Sequence, residues 1–172
     1  MGHLRADLGP RATLTEMVEI VVLAERTELI PVVAGWQYNT WGLGYPGGSL
    51  AVWTDFVRER AGGIGIPMTW VALVDGRPVG CVGLLASEMA THMDLSPWLS
   101  SLYVMPEQRG RGVGGSLVRH CEGAAWRLGV DPLYAYATTT VASLYVGLGW
   151  RQVVTERYRD EEVTVLAKDA PL

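Results

Sequence analysis

The chain has little of what metal sites, disulfide frameworks and nucleic-acid surfaces are built from. Its 172 residues include 2 cysteines and 3 histidines. Cys81 and Cys121 lie in apolar runs without the spacing of metal ligands, so we expect two small buried hydrophobic residues and no metal site. Basic residues are fewer than acidic ones. The net charge of −4 argues against a nucleic-acid partner and mildly favours a cationic amine as substrate.

Long apolar runs are missing as well. No stretch approaches the ~20 residues that cross a bilayer, and residues 1–16 lack the apolar segment of a signal peptide. We therefore expect a cytoplasmic protein without a membrane partner. Residues 1–16 mix glycine, proline and charge with little periodicity, which predicts a flexible tail. Residues 17–172 have the size of a single domain and show no internal repeat.

Glycine, by contrast, is abundant at 21 residues, and with proline it divides the chain into short elements. Asp75-Gly76 separates two β-rich runs, which is a strong hairpin signal. A strand–helix–strand unit at 98–137 implies a parallel pair with a crossover, whereas the hairpins imply antiparallel neighbours. The predicted fold class is therefore α/β (α+β), with a mixed, mostly antiparallel sheet of about six or seven strands and about four flanking helices.

Three helices and a closing hairpin can be placed in more detail. Thr27 offers an N-cap for a helix that runs towards Trp36 and bends near Pro31. Ser49 caps a second helix through about Arg60. An apolar stripe predicts a longer helix over 112–128, ended by Gly129. Two final strands, 150–158 and 163–168, are joined by a charged turn at 159–161.

The stretch 108–115 (QRGRGVGG) follows a predicted strand and opens this longer helix. A helix N-terminus carries unpaired amides and a partial positive charge, and glycine lets a phosphate approach them closely. Arg109 and Arg111 add fixed positive charge. The loop is therefore typical of a pyrophosphate cradle, although a glycine-rich turn that needs only tight geometry would look the same.

Two other phosphate motifs compete for this loop. A P-loop requires Gly-Lys-Ser/Thr after its glycines, which this chain lacks. The dinucleotide pattern G-x-G-x-x-G does match at Gly110, Gly112 and Gly115. That pattern also needs an acidic residue at the end of the next strand. Here the next strand ends at Thr138, and Asp131 precedes the strand.

A third motif fits better, and through it the chain resembles the GNAT superfamily of N-acetyltransferases. The signature of that family is Gln/Arg-x-x-Gly-x-Gly/Ala, and a second block reads Leu-Tyr-x-x-x-Gly-aromatic. The matching residues are Arg109, Gly112 and Gly114 for the first, and Leu144, Tyr145, Gly149 and Trp150 for the second. The order of predicted elements covers nearly the whole family fold.

The resemblance implies a site for acetyl-CoA as acyl donor. The loop amides would hold the CoA pyrophosphate, and the strand before the loop would pair with the pantetheine arm as an added strand does. The amide of Val104 would polarise the thioester carbonyl. The implied cofactor-binding residues are Leu102, Tyr103, Val104, Arg109, Gly110, Arg111, Gly112, Val113, Gly114, Gly115 and Thr138; many relatives carry Asn at the last position.

The resemblance also implies an acid and a base. Tyr145 is the candidate acid for the departing thiolate. Many relatives carry a carboxylate on the strand before the signature, where this chain has Ser100 and Ser101. A polar excursion before that strand supplies three candidate bases instead: Glu88, His92 and Asp94. Four aromatic residues fall in the region that usually borders the acceptor site in this family, where they would either form a wall for the substrate or pack in the core: Trp36, Tyr38, Trp41 and Tyr45.

The leading hypothesis is an acetyl-CoA-dependent N-acetyltransferase that acts on a primary amine of a small molecule by direct attack. Two alternatives remain. One is a non-catalytic acyl-CoA-binding module, which the missing strand carboxylate motivates. The other keeps the fold and uses a different acyl or aminoacyl donor. Family habit alone makes a homodimer plausible.

Overall fold

The computed structural model describes residues 17–172, and the predicted tail, residues 1–16, lies outside the described residues. The described residues form seven strands and four α-helices. The strands are β1 (Val18–Val22), β2 (Met68–Val74), β3 (Arg77–Leu85), β4 (Trp98–Val104), β5 (Leu133–Thr138), β6 (Arg151–Tyr158) and β7 (Glu161–Lys168). The helices are α1 (Ile30–Gln37), α2 (Leu50–Glu59), α3 (Val113–Arg127) and α4 (Thr139–Gly147).

The seven strands form one mixed sheet in the order β1-β2-β3-β4-β5-β7-β6. Every neighbouring pair is antiparallel except β4 and β5, which run parallel. The crossover between these two contains α3. The predicted fold class is confirmed, because one strand–helix–strand unit supplies the parallel pair and the hairpins supply the rest.

Two tight turns set the register of the hairpins. Asp75 and Gly76 both have positive φ (50° and 73°), as a two-residue turn between twisted strands requires. Arg159 and Asp160 repeat this geometry between β6 and β7, with φ of 48° and 64°. The Asp75-Gly76 hairpin is confirmed. The closing turn is shorter than predicted, because Glu161 already pairs with Tyr158.

One face of the sheet is covered by α3 and α4. The apolar stripe of α3 is buried against strands β2 to β5, as predicted, with Leu117, Val118 and Cys121 fully buried. Gly129 follows the helix in the left-handed conformation (φ 76°), which ends it. Within residues 17–172, no helix combines the length and apolarity that crossing a bilayer requires.

The opposite face carries α1 and α2 over the first half of the sheet. The Ser49 hydroxyl accepts a hydrogen bond from the Val52 amide (3.2 Å), which confirms the predicted cap of α2. The prediction for α1 was wrong: Thr27 lies in a separate 3-10 turn, and Pro31 stands in the first turn of a helix that begins at Ile30. Proline suits that place because the first turn needs no amide donor.

Over the second half of that face lies the connection between β3 and β4. Met89 from this connection packs with Trp98, Tyr158 and Val165 in an apolar cluster that involves no helix. A separate cluster holds α1 and α2 against β2 and β3, through residues such as Val33, Val57 and Val71. The described part of the chain thus has two distinct apolar clusters on this face, with a gap between them.

Both cysteines are buried, which confirms the prediction made for them. Cys81 and Cys121 are fully enclosed and unpaired. Burial raises the pKa of the Cys81 thiol to about 12 and raises that of Cys121 as well, so both remain protonated at neutral pH. Among residues 17–172, no three His, Cys, Asp or Glu side chains group as a metal site would require.

A buried ion pair joins α3 to the end of the chain. Glu122 is 6% exposed, and its Oε1 accepts from Trp150 Nε1 (2.8 Å) and from Lys168 Nζ (3.1 Å). Lys168 Nζ also donates to the Leu148 carbonyl (2.7 Å). These bonds fix the start of β6 against α3 and hold the Trp150 ring beside the ring of Tyr145, at 5.2 Å between centroids.

We expect Glu122→Ala to destabilise the protein by about 2–4 kcal/mol, because it leaves a buried indole N–H and a largely buried ammonium without their partner. Glu122→Gln keeps an acceptor for Trp150 and should cost less. Glu19→Ala on the exposed side of β1 is the control, expected within about 0.5 kcal/mol of the unmodified chain. Urea unfolding measures all three. A Glu122→Ala variant as stable as the control would contradict this account.

Candidate active site

The site is organised by the separation of β4 from β5. The two strands pair at one position, Trp98 with Tyr134, and the Tyr134 amide donates to the Pro97 carbonyl (3.0 Å). Along its whole length β5 pairs with β7 on its other side, whereas the described chain supplies no strand partner for the edge of β4 beyond Trp98. A wedge therefore opens between β4 and β5 towards their carboxyl ends, where α3 and α4 begin.

A β-bulge in β4 directs the backbone into this wedge. Ser101 has φ of 54°, and the register with β3 shifts there, so that Ser101 and Leu102 together oppose Val82. Past the bulge, the Met105 amide donates to the Val79 carbonyl on β3 (2.8 Å). Successive residues of a strand direct their polar groups to opposite sides, so the amide of Val104 faces the wedge.

The glycine loop closes the wide end of the wedge. Gly110 and Gly112 have φ of 74° and 86°, and Gly112 stands at the N-cap of α3 without a side-chain capping bond. The first amides of α3 therefore point outward and are available to an anion. Arg109 Nε donates to the Val104 carbonyl (2.8 Å), and its guanidinium lies over the Tyr103 ring. This arginine thus fastens the loop to β4 as well as adding charge.

The two sequence motifs meet across the wedge. A Cβ on Gly114 would lie 3.7 Å from Val104 and 3.7 Å from the Leu144 side chain, so β4, α3 and α4 approach closely at this glycine. Val113 and Gly115 are buried, and can offer a ligand only their backbone. Thr138 ends β5 on the opposite arm of the wedge. The arrangement suits an extended chain that ends in a pyrophosphate.

Tyr145 follows Leu144 on α4, whose side chain approaches Gly114 at the wedge. It is 3% exposed and belongs to the core under α3. Burial raises the pKa of its phenol well above the ordinary value, and the Cys121 thiol and Glu88 carboxylate add to the shift. Tyr145 is therefore protonated at neutral pH, and the same burial makes its phenol a weaker acid than an exposed one.

The structure separates the three candidate bases. Glu88 Oε2 accepts a hydrogen bond from the Ser100 hydroxyl on β4 (2.7 Å), and the Ser100 and Ser101 hydroxyls are 3.1 Å apart. His92 Nε2 lies 2.8 Å from Glu156 Oε2 on β6, which ties the connection down at a distance from β4. Asp94 is exposed in the turn beyond His92. Glu88 alone among the three reaches the bulged strand.

Glu88 occupies an unusual electrostatic environment. Burial raises the pKa of its carboxyl, while the Ser100 hydrogen bond and the guanidinium groups of Arg60 and Arg159 oppose that rise. Burial, with a smaller contribution from Glu88, raises the pKa of Tyr136 to about 12. Sequence reasoning named Glu88 but missed its partners, because Arg60 and Arg159 lie on elements distant along the chain.

Glu156 was also missed. It accepts from the Thr91 hydroxyl (3.0 Å) as well as from His92, and these hydrogen bonds lower the pKa of its carboxyl. No local pattern marks it, since Glu156 stands in a strand with largely exposed side chains. The pairing follows only from the way in which the β3–β4 connection lies across β6.

Of the four predicted aromatic residues, three pack against other rings and one is exposed. Trp36 stacks on Tyr103 with centroids 5.3 Å apart. Tyr38 and Tyr45 both pack on Trp53 of α2, whereas Trp41 is 46% exposed. Tyr45 additionally contacts the guanidinium of Arg159, whose carbon lies 5.1 Å from the ring centroid.

Comparison with known proteins identifies the family. The family model described as "Acetyltransferase (GNAT) domain" matches residues 67–152, which is half of the chain. The chain therefore belongs to the GNAT family of N-acetyltransferases. The matched region runs from the start of β2 into β6 and so includes the bulge, the glycine loop and Tyr145.

Solved structures agree on the fold. An acetyltransferase of the GNAT family from Streptococcus pneumoniae has a TM-score of 0.66 at 17% identity, over 90% of this chain and 100% of that one. An aminoglycoside 6'-N-acetyltransferase complexed with coenzyme A gives 0.70 at 16% identity, over 91% and 98%. A ribosomal-protein-alanine N-acetyltransferase from Escherichia coli gives 0.63 at 17% identity, over 89% and 94%. No curated protein sequence matches the chain.

We expect Gly112→Ala to weaken CoA binding by at least about tenfold, because an L-residue resists this positive φ and distorts the amides at the start of α3. Gly129→Ala is the matched control, since Gly129 has a similar φ at the other end of the same helix. Both variants should lose about 1–2 kcal/mol of stability. Titration calorimetry with CoA separates them, and equal CoA affinity in the two variants would contradict the assignment.

Proposed function

We propose that the protein transfers the acetyl group of acetyl-CoA to a primary amine of a small molecule by direct attack. The observation that carries the proposal is the wedge, which offers an edge without a strand partner at Leu102–Val104 beside the helix amides that follow Gly112, which has no side-chain cap. When bound, acetyl-CoA supplies the activated acyl group. The chain's own residues must then orient the thioester, accept a proton from the amine and return one to sulfur.

The backbone supports the first of these tasks. The Val104 amide faces the wedge past the bulge, where it can donate to a thioester oxygen, and the Arg109 bond occupies the Val104 carbonyl and not this amide. A positioned amide stabilises the charge that develops on the carbonyl oxygen during attack. The bulge at Ser101 therefore orients this donor.

Glu88 is the base that the geometry favours. The amine must lose a proton as its C–N bond forms, and a carboxylate with a raised pKa accepts that proton more readily than an ordinary one. Ser100 places Glu88 over β4, so a carboxylate from the β3–β4 connection takes the position that relatives fill from the strand itself. His92, tied to Glu156, and Asp94, exposed in its turn, lie outside this arrangement.

Tyr145 is the acid of the proposal. As the C–S bond breaks, the departing sulfur takes up a proton, and a protonated phenol buried beside the wedge is suited to donate it. The packing of Tyr145 against Trp150, and of Trp150 against Glu122, limits the positions that the phenol can take.

The direct test is to incubate the protein with acetyl-CoA and a broad panel of amines. Thiol release and the mass of the acetylated product measure transfer. Glu88→Gln should lower kcat by about 100-fold or more while the affinity for CoA remains unchanged. Ser100→Ala removes the hydrogen bond that lowers the pKa of Glu88, so the acidic limb of the pH profile of kcat/KM should move to higher pH. Glu107→Gln, an exposed carboxylate near the glycine loop, is the control.

Two outcomes would overturn this proposal. CoA binding without transfer to any amine would indicate a non-catalytic acyl-CoA-binding module. Full turnover in Glu88→Gln would remove Glu88 from the role of base, and an acidic limb that moved to lower pH in Ser100→Ala would contradict the stated effect of the hydrogen bond.

We expect Tyr145→Phe to lower kcat by at least about tenfold with an unchanged Kd for CoA, because the ring still packs on Trp150 while the proton donor is lost. Tyr134→Phe, in the same sheet but in the cluster with Trp98, is the matched control and should retain normal kcat. Stopped-flow thiol release together with calorimetry measures both effects. Unchanged turnover in Tyr145→Phe would assign Tyr145 to packing alone.

A further inference from the structure

A polar row crosses the sheet in the gap between the two apolar clusters. Thr69, Gly83 and Ser100 stand opposite one another on β2, β3 and β4. The Thr69 hydroxyl donates to the Arg60 carbonyl at the end of α2 (3.0 Å), so the row faces the side of the sheet that carries α1 and α2. Strands lie about 4.8 Å apart, which places Thr69 and Ser100 roughly 10 Å from each other.

Gly83, in the middle of this row, carries no side chain. A Cβ built there would lie 3.8 Å from Thr69 Oγ1 and no closer than 3.5 Å to the nearest atom, a carbonyl oxygen of Ser100. On either side of Gly83 the same face is filled, by Cys81 in the cluster under α1 and by Trp98 in the cluster under Met89. The row is therefore the floor of a short polar gap whose walls are apolar.

Charged groups surround this gap. Glu88 lies over Ser100, while Arg60 lies at the Thr69 end, where its guanidinium carbon is 5.7 Å from the Phe56 ring centroid. Arg159, in the turn between β6 and β7, lies near Glu88. Both guanidinium groups contribute to the electrostatic environment of the Glu88 carboxyl.

The two arginines are held by aromatic rings and not by carboxylates. The guanidinium carbon of Arg159 lies 5.1 Å from the ring centroid of Tyr45 and 5.2 Å from that of Tyr158. Within residues 17–172, neither Arg60 nor Arg159 has a carboxylate oxygen within the 4.0 Å of an ion pair. A stacked guanidinium keeps its N–H donors in a fixed plane, ready for a carboxylate or phosphate.

We propose that the acceptor is a small primary amine that carries an anionic group, a carboxylate or a phosphate, near the amine. The amine lies at Glu88 above Gly83, and the anionic group binds the guanidinium groups of Arg60 and Arg159. This inference rests on the proposed acetyl transfer and names the substrate class for the same site. It excludes polyamines and aminoglycosides, whose several ammonium groups would meet two arginines, although the fold resembles that of an aminoglycoside N-acetyltransferase.

Matched pairs of acceptors test the proposal. Alanine is compared with alaninamide, and phosphoethanolamine with ethanolamine, at equal concentrations of unprotonated amine; spermidine and an aminoglycoside complete the panel. We expect kcat/KM to be at least about tenfold higher for the anionic member of the preferred pair, as a charge-assisted contact provides. The pair that shows the larger ratio distinguishes a carboxylate from a phosphate.

Substitutions test which residues cause the preference for an anionic amine. Arg60→Gln and Arg159→Gln should each raise KM for the anionic amine about tenfold relative to KM for the neutral amine, measured at a pH above the acidic limb of each variant's own profile because both changes also raise the pKa of Glu88, with the affinity for acetyl-CoA unchanged. Arg58→Gln is the control, because Arg58 lies on the same helix and is paired with Asp55 (2.6 Å). Gly83→Ala adds one methyl group to the row between Thr69 and Ser100 without a steric clash, so the melting temperature should not fall. KM for the acceptor should rise, because the methyl group occupies space in the proposed site.

Failure of this inference differs from failure of the proposed function. Acetylation of neutral or polycationic amines only, or equal loss with both members of a pair in Arg159→Gln, overturns the substrate class and leaves acetyl transfer intact. If no amine is acetylated, saturation-transfer NMR on the CoA complex decides the question without turnover. Binding of the anionic amine but not of its neutral partner supports the class, and equal binding of the two overturns it.

Discussion

The single paired position between β4 and β5 is the constraint on which the rest of the site depends. A parallel pair that continued in register would satisfy the edge of β4 with backbone hydrogen bonds and leave nothing for a ligand. Because β5 diverges from β4 after Tyr134, while its other edge stays paired with β7, Leu102–Val104 keep an edge without a strand partner. The α3 and α4 helices then meet at Gly114 and not over a closed sheet. The motifs around Arg109 and Tyr145 thus come together because β4 and β5 pair at one position only.

On the opposite face of the sheet, the proposed base lies in a gap between two parts of the apolar core. Two apolar clusters hold the sheet on either side, and the row from Thr69 to Ser100 lies between them. A carboxylate placed in such a gap is partly removed from water, which raises its pKa, yet the Ser100 hydroxyl and the guanidinium groups of Arg60 and Arg159 oppose that rise. The balance of these effects makes Glu88 a more basic carboxylate than one in bulk water.

Local signals predicted much of the fold. Three predictions rested on signals within short stretches of sequence, and the structure confirms them: the Asp75-Gly76 turn, the Ser49 cap and the apolar stripe of α3. Pro31 was misread because the same residue can bend a helix or begin one, and only the preceding turns decide which. The glycine loop and Tyr145 were found through motifs that are contiguous in sequence.

The remainder of the site could not be predicted from local patterns. The bulge at Ser101 requires positive φ in a residue that is not glycine, so nothing in its sequence marks it. The contact of His92 with Glu156 and the stacking of Tyr45 on Arg159 join elements far apart along the chain. The glycine at 112 is the converse case: apart from the backbone around it, no described atom lies within 4 Å of the position that a Cβ would take. The position requires a left-handed backbone conformation, and it has room for a side chain. Among residues with a side chain, asparagine tolerates this conformation best, so it would be the least costly replacement.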